Sequence, residues 1–222
     1  GGAMELGGLQ LKWLDLTDNE IGPQGMRALA PGIVRCTSLQ RLGLSENELQ
    51  DGGASALAGA LGTRHAALHR IELRQNRVGS IGFVPLARAL ARLPQLATLD
   101  LFWNEAGDSG VTCLAEGLGQ YRALTHLNLR RNMIEDEGST RLAEALGEAV
   151  SLQHLDLSRN YIAIAGAVAI AEALPRCFVL VSLILDANRI AGMPAGQMGW
   201  DERLRLCRSL EKVSRSNQRA SQ

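Results

Sequence analysis

LTHLNLRRNMIEDEGSTRLAEALGEAV, residues 124–150, is the stretch of sequence that decides the fold. Leucines alternate with polar residues in its first part, which predicts a short strand with one buried face. Asn132 follows that strand, and its carboxamide can both donate and accept hydrogen bonds, so it can satisfy loop amides that no strand reaches. Beyond Gly138, Leu142 and Leu146 stand four residues apart, which predicts a helix with one apolar face.

The opening pattern of this stretch, L-x-x-L-x-L-x-x-N, recurs along most of the chain. It occurs seven times at a period of 28 residues, with one interval of 29 and one Ile in place of Leu. Equivalent strands stack side by side in such an array, and the asparagines at their ends then form a ladder along the stack. The predicted structural ladder consists of Asn19, Asn47, Asn76, Asn104, Asn132, Asn160 and Asn188.

Small residues and two unequal spacings predict the overall shape. A glycine stands six residues after the asparagine in six repeats, and alanine or glycine recurs within each helix, so adjacent helices can pack closely. Packed helices still need ~8–10 Å, whereas parallel strands stack at ~4.8 Å. The stack must therefore bend. We expect an α/β fold, a right-handed curved solenoid with parallel strands on the concave face and helices on the convex face.

The combined unit resembles a known family of repeats. A strand and a helix in 28 residues, with G-x-x-x-L-A-x-[AG]-L after the asparagine, is similar to the ribonuclease-inhibitor-like subclass of leucine-rich repeats. Members include the sensor arms of NOD-like receptors, Ran GTPase-activating proteins and tropomodulin-like proteins, which share a fold and differ in function. Ribonuclease inhibitors themselves alternate two repeat types and are rich in cysteine. This chain has a single repeat type and four cysteines, so it is not expected to be a ribonuclease inhibitor.

The repeat frame gives the domain boundaries. Residues 9–192 are predicted to form the seven-repeat solenoid, after a leader of residues 1–8 that includes a stretch typical of a cloning remnant. The first repeat begins abruptly, so we expect the chain to be a piece of a longer array. The alternative is that a partner or a second copy covers that edge.

The last part of the chain departs from the pattern. Residues 193–213 are predicted to be a capping segment, and residues 214–222 a disordered tail. A helix is expected to begin near Asp201, a plausible N-cap, with an apolar stripe formed by Leu206, Leu210 and Val213.

Composition excludes several classes of function. The chain has 23 basic and 23 acidic residues, which argues against binding to nucleic acids or to a membrane surface. No apolar run reaches the ~18 residues of a membrane-spanning helix. Cys36 and Cys177 share a repeat position five repeats apart, too far for a disulfide, and we expect buried thiols and a reducing, cytoplasmic location with the nucleus as the alternative.

Two pairs of histidines are the remaining candidates for chemistry. His65 and His69 lie in an inserted loop with no third ligand nearby in the sequence. His126 and His154 share a column on adjacent strands near Asp156, so they should lie about 5 Å apart. Solvated surface histidines are the simpler interpretation, and a metal site or a pH-responsive patch is the alternative. We predict no catalytic residue, no metal and no cofactor.

The solvent-facing column contains one group of residues that the fold does not require. Phe102 and Trp103 stand where other repeats have mostly polar residues, and arginines flank them. Exposed aromatics beside arginines are typical of interface hot spots. The alternative is that one ring folds back over its own loop. The predicted partner-binding residues are Arg74, Asp100, Phe102, Trp103, Asn128, Arg130, Arg131 and Arg159.

These observations predict a protein–protein interaction module that uses its concave face, as part of a larger regulatory or sensor protein. The expected partner is another protein, with no nucleic acid, membrane or small-molecule substrate, and the chain is not expected to be an enzyme. The alternative is a GTPase-activating protein resembling the Ran class. Those proteins typically carry a long acidic tail, whereas residues 201–222 here have six basic and three acidic side chains.

Overall fold

The structure, a computed structural model, describes residues 10–190 and the backbone of Lys212–Ser214. Helices and strands alternate along the chain. The strands are β1 Trp13–Asp15, β2 Arg41–Gly43, β3 Arg70–Glu72, β4 Thr98–Asp100, β5 His126–Asn128, β6 His154–Asp156, β7 Ser182–Ile184 and β8 Lys212–Ser214. The α-helices are α1 Gly22–Arg35, α2 Gln50–Ala60, α3 Ser80–Leu90, α4 Gly107–Glu116, α5 Asp136–Leu146 and α6 Ile164–Ala173, with 3-10 turns at Leu118–Gln120 and Leu174–Arg176.

The eight strands form one parallel sheet in sequence order, β1 to β8. Equivalent repeat positions pair directly, as Leu99 of β4 does with Leu127 of β5. This register confirms the predicted α/β solenoid, because each repeat adds one strand to the concave sheet and one helix to the convex layer.

The core lies between the sheet and the helices. Inward leucines of the middle repeats, such as Leu99, Leu114 and Leu127, are almost wholly buried. Leu14 and Leu29 of the first repeat are only partly buried, since no preceding repeat among the described residues covers them. The core is therefore shared between neighbours, and no repeat completes it alone.

The asparagine that follows β4, Asn104, connects three segments of backbone. Oδ1 of Asn104 accepts hydrogen bonds from the backbone N–H of Asn76, at 3.2 Å, and of Val78, at 3.1 Å. Its Nδ2 donates to the carbonyls of Leu73, at 2.8 Å, and Leu101, at 3.0 Å. One buried side chain thus satisfies the end of its own strand and the turn of the preceding repeat.

The asparagines are not equivalent along the stack. Asn47, Asn76 and Asn160 repeat the four-bond arrangement. Asn132 is buried and donates two hydrogen bonds, but its Oδ1 accepts none from the described residues. Asn19, at the first strand, is exposed and its side chain makes a single hydrogen bond, to the carbonyl of Thr17.

Aspartates supply a second connection between repeats. Oδ1 of Asp136 accepts hydrogen bonds from the N–H groups of Ala163 and Gly166, at 2.7 and 2.9 Å, at the start of α6. Asp51 does the same at the start of α3. None of the six α-helices of the described chain has a side-chain cap from its own N-cap residue. The preceding repeat therefore caps these two helix starts.

The recurring glycine allows this close contact. A Cβ added at Gly138 would lie 2.8 Å from Cα of Asp108, which is backbone of the neighbouring helix and cannot move cheaply. By contrast, a Cβ at Gly59 in α2 would meet no atom within 4 Å.

The C-terminal expectation was wrong at one point. Val213 was expected on a helix, but Lys212–Ser214 is a strand, β8, and pairs with β7 in parallel. The position of Asp201, Leu206 and Leu210, and the expected disorder after 214, lie outside the described residues. The sheet thus extends by one strand beyond the seven consensus repeats.

We expect Asn104→Ala to lower the free energy of unfolding by about 1–3 kcal/mol, because buried backbone groups of two repeats lose their partners. Asn132→Ala should cost less, since its side chain makes two hydrogen bonds instead of four. Asn19→Ala is the matched control and should cost least. Urea unfolding measures all three, and equal costs at positions 104 and 19 would contradict the role of the ladder.

A second pair of substitutions tests the packing of the helices. Gly138→Ala should destabilise the protein by about 1–3 kcal/mol, because the new methyl group overpacks the contact with Asp108. Gly59→Ala should be neutral or stabilising by up to about 1 kcal/mol, since alanine favours the helix and nothing obstructs it. Thermal melts of the two variants should shift in opposite directions or, at the least, separate clearly.

Candidate protein-binding surface

The concave surface is formed by the strand side chains that point away from the helices. The third residue of most repeat strands is an aspartate, glutamate or asparagine, which forms a polar stripe along the sheet. Asp100 and Asn128 belong to this stripe and were predicted to contact a partner. Several of these residues instead close the turn that follows their own strand. Oδ1 of Asp15, Asp100, Asn128 and Asp156 each accepts a hydrogen bond from the N–H two residues further on, at 2.8–3.1 Å. The stripe is therefore explained by turn geometry.

Asp100 departs most from expectation. It is only 6% exposed, and its Oδ2 accepts a hydrogen bond from Nε of Arg74 at 2.7 Å. Its other oxygen, Oδ1, accepts a hydrogen bond from the backbone N–H of Phe102. Asp100 is thus not offered at the surface, because both oxygens are used within the chain. It fixes the half-exposed guanidinium of Arg74 beside the aromatic residues.

Trp103 lies where the concave face meets the loop edge. Its side chain is 48% exposed, and its φ of 55° turns it outward from the strand. The Arg131 guanidinium stacks 4.4 Å from the ring centroid, and Phe102 contacts the same ring with a centroid distance of 6.0 Å. About half of Trp103 thus stays open to solvent, whereas Phe102, the other ring considered, is partly buried.

Other predicted partner-binding residues lie beside Phe102 and Trp103, in the next two repeats along the chain. Arg130 lies over the ring of Phe102 at 5.6 Å. Asn128 is partly buried, and its Oδ1 accepts a hydrogen bond from the backbone N–H of Arg130. Asn128 therefore positions the loop that carries Arg130. Arg159 is exposed one repeat further along. We call Arg74, Phe102, Trp103, Arg130 and Arg131 the aromatic–arginine cluster.

Three exposed side chains were missed by the sequence reasoning. Trp13 on β1 is 62% exposed, with the Arg41 guanidinium 5.8 Å from its ring. Met133 and Tyr161 are also exposed, each directly after a ladder asparagine. That column could have been read from the repeat, since its other members include acidic residues and arginine. Met133 and Tyr161 lie on the same loop edge as Trp103.

The histidines fall into two different situations. Nε2 of the buried His65 donates to the Ile33 carbonyl at 3.0 Å, so this residue is structural. His126 and His154 stack on the concave face with ring centroids 4.2 Å apart. Burial lowers the pKa of His126, and the charges of His154 and Arg70 lower it further. Within residues 10–190, no three His, Cys, Asp or Glu side chains are grouped as metal ligands.

The described cysteines form no disulfide. Cys36 and Cys177 are buried, and Cys113 is partly buried. Among the residues that the structure describes, no helix is long and apolar enough to cross a membrane.

Comparison with known proteins identifies the class. The Leucine Rich repeat family model matches residues 11–30, 35–58, 94–115, 122–143 and 149–171, which together make up half of the chain. The protein belongs to the leucine-rich repeat family. The matched model describes a repeat and indicates no enzyme family, and leucine-rich repeats commonly bind proteins.

Individual relatives add detail. A segment of 54 residues is 48% identical to Tonsoku-like protein of Bos taurus and covers 23% of this chain. It spans only 4% of the length of that relative. The tropomodulin C-terminal domain of Caenorhabditis elegans matches with a TM-score of 0.54 and 13% identity, covering 70% of this chain and 93% of that one. Leiomodin-1 Actin-Binding Site 2 matches with a TM-score of 0.50 and 18% identity, covering 63% of this chain and 80% of that one. At such identities these likenesses show the fold alone.

The stacked histidines predict a pH effect on stability. The unfolded chain takes up a proton at His126 near the ordinary pKa of about 6.5, whereas the folded chain does so only at lower pH. The free energy of unfolding should therefore fall as the pH drops below about 6.5, until the folded pKa is passed. His126→Gln removes this contribution, so we expect the wild type to lose more stability than the variant over that window. A difference between the two that is independent of pH would contradict this.

Proposed function

We propose that this chain is a protein-binding module whose partner docks on the concave face around Trp103. The observation that carries the proposal is an exposed tryptophan held in place by an arginine and a second aromatic ring near the middle of the repeat array. A large apolar side chain left in water is a liability unless a partner covers it.

The chemistry of the aromatic–arginine cluster supports this function. Tryptophan and arginine are enriched at hot spots, because they combine a large apolar contact with directed polar groups. Here the stacking of Arg131 on Trp103 orders both side chains before binding. Less side-chain freedom is then lost on association, which favours affinity.

The contact surface is proposed to extend over the neighbouring repeats. Arg74, Arg130 and Arg131 surround the rings and offer hydrogen-bond donors to carboxylates or carbonyls of a partner. Arg159 adds a positive charge one repeat further on. In this proposal Asp100 and Asn128 do not contact the partner. Asp100 positions the side chain of Arg74, and Asn128 positions the loop that carries Arg130.

The wider identity is also a proposal. The 28-residue strand–helix unit favours the ribonuclease-inhibitor-like subclass, and the short match within the much longer Tonsoku-like protein supports a place in a larger regulatory protein. The leiomodin-1 domain is described as an actin-binding site, which is consistent with binding of proteins by this type of solenoid. The chain contributes no chemistry of its own in this proposal. We place the chain in a reducing compartment such as the cytoplasm, because the cysteines of residues 10–190 are not paired with one another.

The function is tested by exchanging one exposed ring at a time. Trp103→Ala should weaken binding of a partner captured from the source cell by at least about 2 kcal/mol, roughly 30-fold, with little change in thermal stability. Phe178→Ala is the matched control, because Phe178 is an 83% exposed aromatic outside the concave face. Titration calorimetry measures both. If Trp103→Ala binds as tightly as the wild type, the concave centre is not the binding site.

A further inference from the structure

The loop edge of the sheet carries a continuous groove, which we call the rim groove. It is formed by the residues directly before and after the first six ladder asparagines. Asp18 and Glu20, and likewise Glu46 and Glu48, have φ between 50° and 59°, a left-handed conformation that places both residues on the rim. The rim groove runs from these first repeats to Tyr161 and encloses about 630 Å³.

The charge of the rim groove reverses along its length. Its first part is lined by the exposed carboxylates of Asp18, Glu20, Glu46 and Glu48. Glu48 pairs with Arg77 at 2.9 Å, and the other three form no ion pair with any described residue.

The far part of the rim groove carries arginines and aromatic rings, with one further exposed carboxylate, Glu105, in the same repeat as Trp103. Arg131 and Arg159 line it together with Trp103, Met133 and Tyr161. The guanidinium of Arg131 stacks on the Trp103 ring. Neither arginine forms an ion pair within residues 10–190, so their charges face the groove without a counter-ion from that part of the chain.

The backbone of the rim is already engaged. The N–H groups of Asn19 and Ile21 donate to Asn47, and those of Asn47 and Leu49 donate to Asn76. An occupant therefore cannot pair with this backbone as an added strand would, and recognition must come from the side chains.

We propose that the rim groove binds an extended peptide segment with charge blocks of opposite sign at its two ends. A basic block lies against Glu46 and Glu48, and an acidic block lies against Arg131 and Arg159. Apolar residues between the blocks contact Trp103 and Met133. This inference rests on the proposed function, since the segment would belong to the protein that docks on the concave face.

The size of the rim groove sets the length of the segment. Five inter-repeat steps separate the loop of Asp18 from that of Tyr161, or about 24 Å at the strand spacing of ~4.8 Å. An extended chain advances ~3.3 Å per residue, so the groove accommodates about seven or eight residues. A nucleic acid, with negative charge throughout, would be repelled by the acidic part.

The test uses synthetic octapeptides labelled with a fluorophore. The block peptide is Lys-Lys-Lys-Leu-Leu-Glu-Glu-Glu, measured together with its reversed sequence, because side-chain charge and not chain direction fixes the position. An isomer of the same composition with alternating charges is the control. Fluorescence anisotropy at low ionic strength should give at least about tenfold tighter binding for a block peptide than for the isomer, and added salt should reduce that difference.

Charge reversal in the protein sharpens the test. The double variant Glu46→Lys/Glu48→Lys should lose at least about tenfold in affinity for the block peptide, and so should Arg131→Glu/Arg159→Glu. Combining all four substitutions reverses the charge order of the groove, so a peptide bound in the opposite sense should regain part of the lost affinity. Damage to the fold could not produce that recovery.

Several outcomes would overturn the inference. They are equal binding of the block and alternating peptides, unchanged affinity in the two double variants, absence of recovery in the fourfold variant, and displacement of the peptide by a single-stranded oligonucleotide. A captured partner that is lost by Trp103→Ala but unaffected by Glu46→Lys/Glu48→Lys would remove the rim groove and leave the proposed function standing. A partner retained by Trp103→Ala would remove the proposed function itself.

Discussion

A strand of three residues pairs with its neighbours over only a short length, so the backbone N–H and C=O groups of the following turn need other hydrogen-bond partners. The asparagine carboxamide supplies those partners. Asn104 binds backbone groups of its own strand and of the turn before it, in a site closed to water. The turn that Asn104 holds through its two acceptor contacts is the one around Asn76, and there the flanking Gln75 and Arg77 both take a left-handed conformation. Trp103, directly before Asn104, has the same left-handed φ, although Oδ1 of Asn132 in the next repeat accepts no hydrogen bond from the described residues. The proposed binding surface therefore lies on the turns that follow the strands.

The same dependence on neighbours governs the helical side. Asp136 caps the following helix, and Gly138 lets α5 approach the helix that contains Asp108. A repeat taken alone would lack its cap, its asparagine acceptors and half of its core. Stability must then spread through nearest neighbours, with the middle repeats better supported than the ends. The aromatic–arginine cluster, where we propose that a partner docks, lies in those middle repeats.

The fold could be predicted from the repeat, because each leucine column has one role, burial between sheet and helices, and the asparagine column has one role, hydrogen bonding to the backbone of the turns. Trp103 could be found for the same reason, as an exception in a polar column. Asp100 could not be assigned, since an aspartate that closes its own turn has the same spacing as one offered to a partner. β8 was missed because Leu210 and Val213 keep the first two apolar positions of the pattern while Arg215 and Gln218 replace the third leucine and the asparagine. Tyr161 was not predicted, because it stands directly after the asparagine, in a column that holds acidic, basic and apolar residues in different repeats.

The central claim is that the side chain of Trp103 is the part of this solenoid that a partner covers, and its indole N–H reports on that directly. The chain contains three tryptophans, so a nitrogen-15-labelled sample gives three indole signals, and Trp103→Phe identifies the one in question. On saturation with the captured partner, we expect the Trp103 indole signal to shift or broaden while the backbone amide of Phe178 stays in place. An unchanged Trp103 indole signal with the partner fully bound would contradict the account.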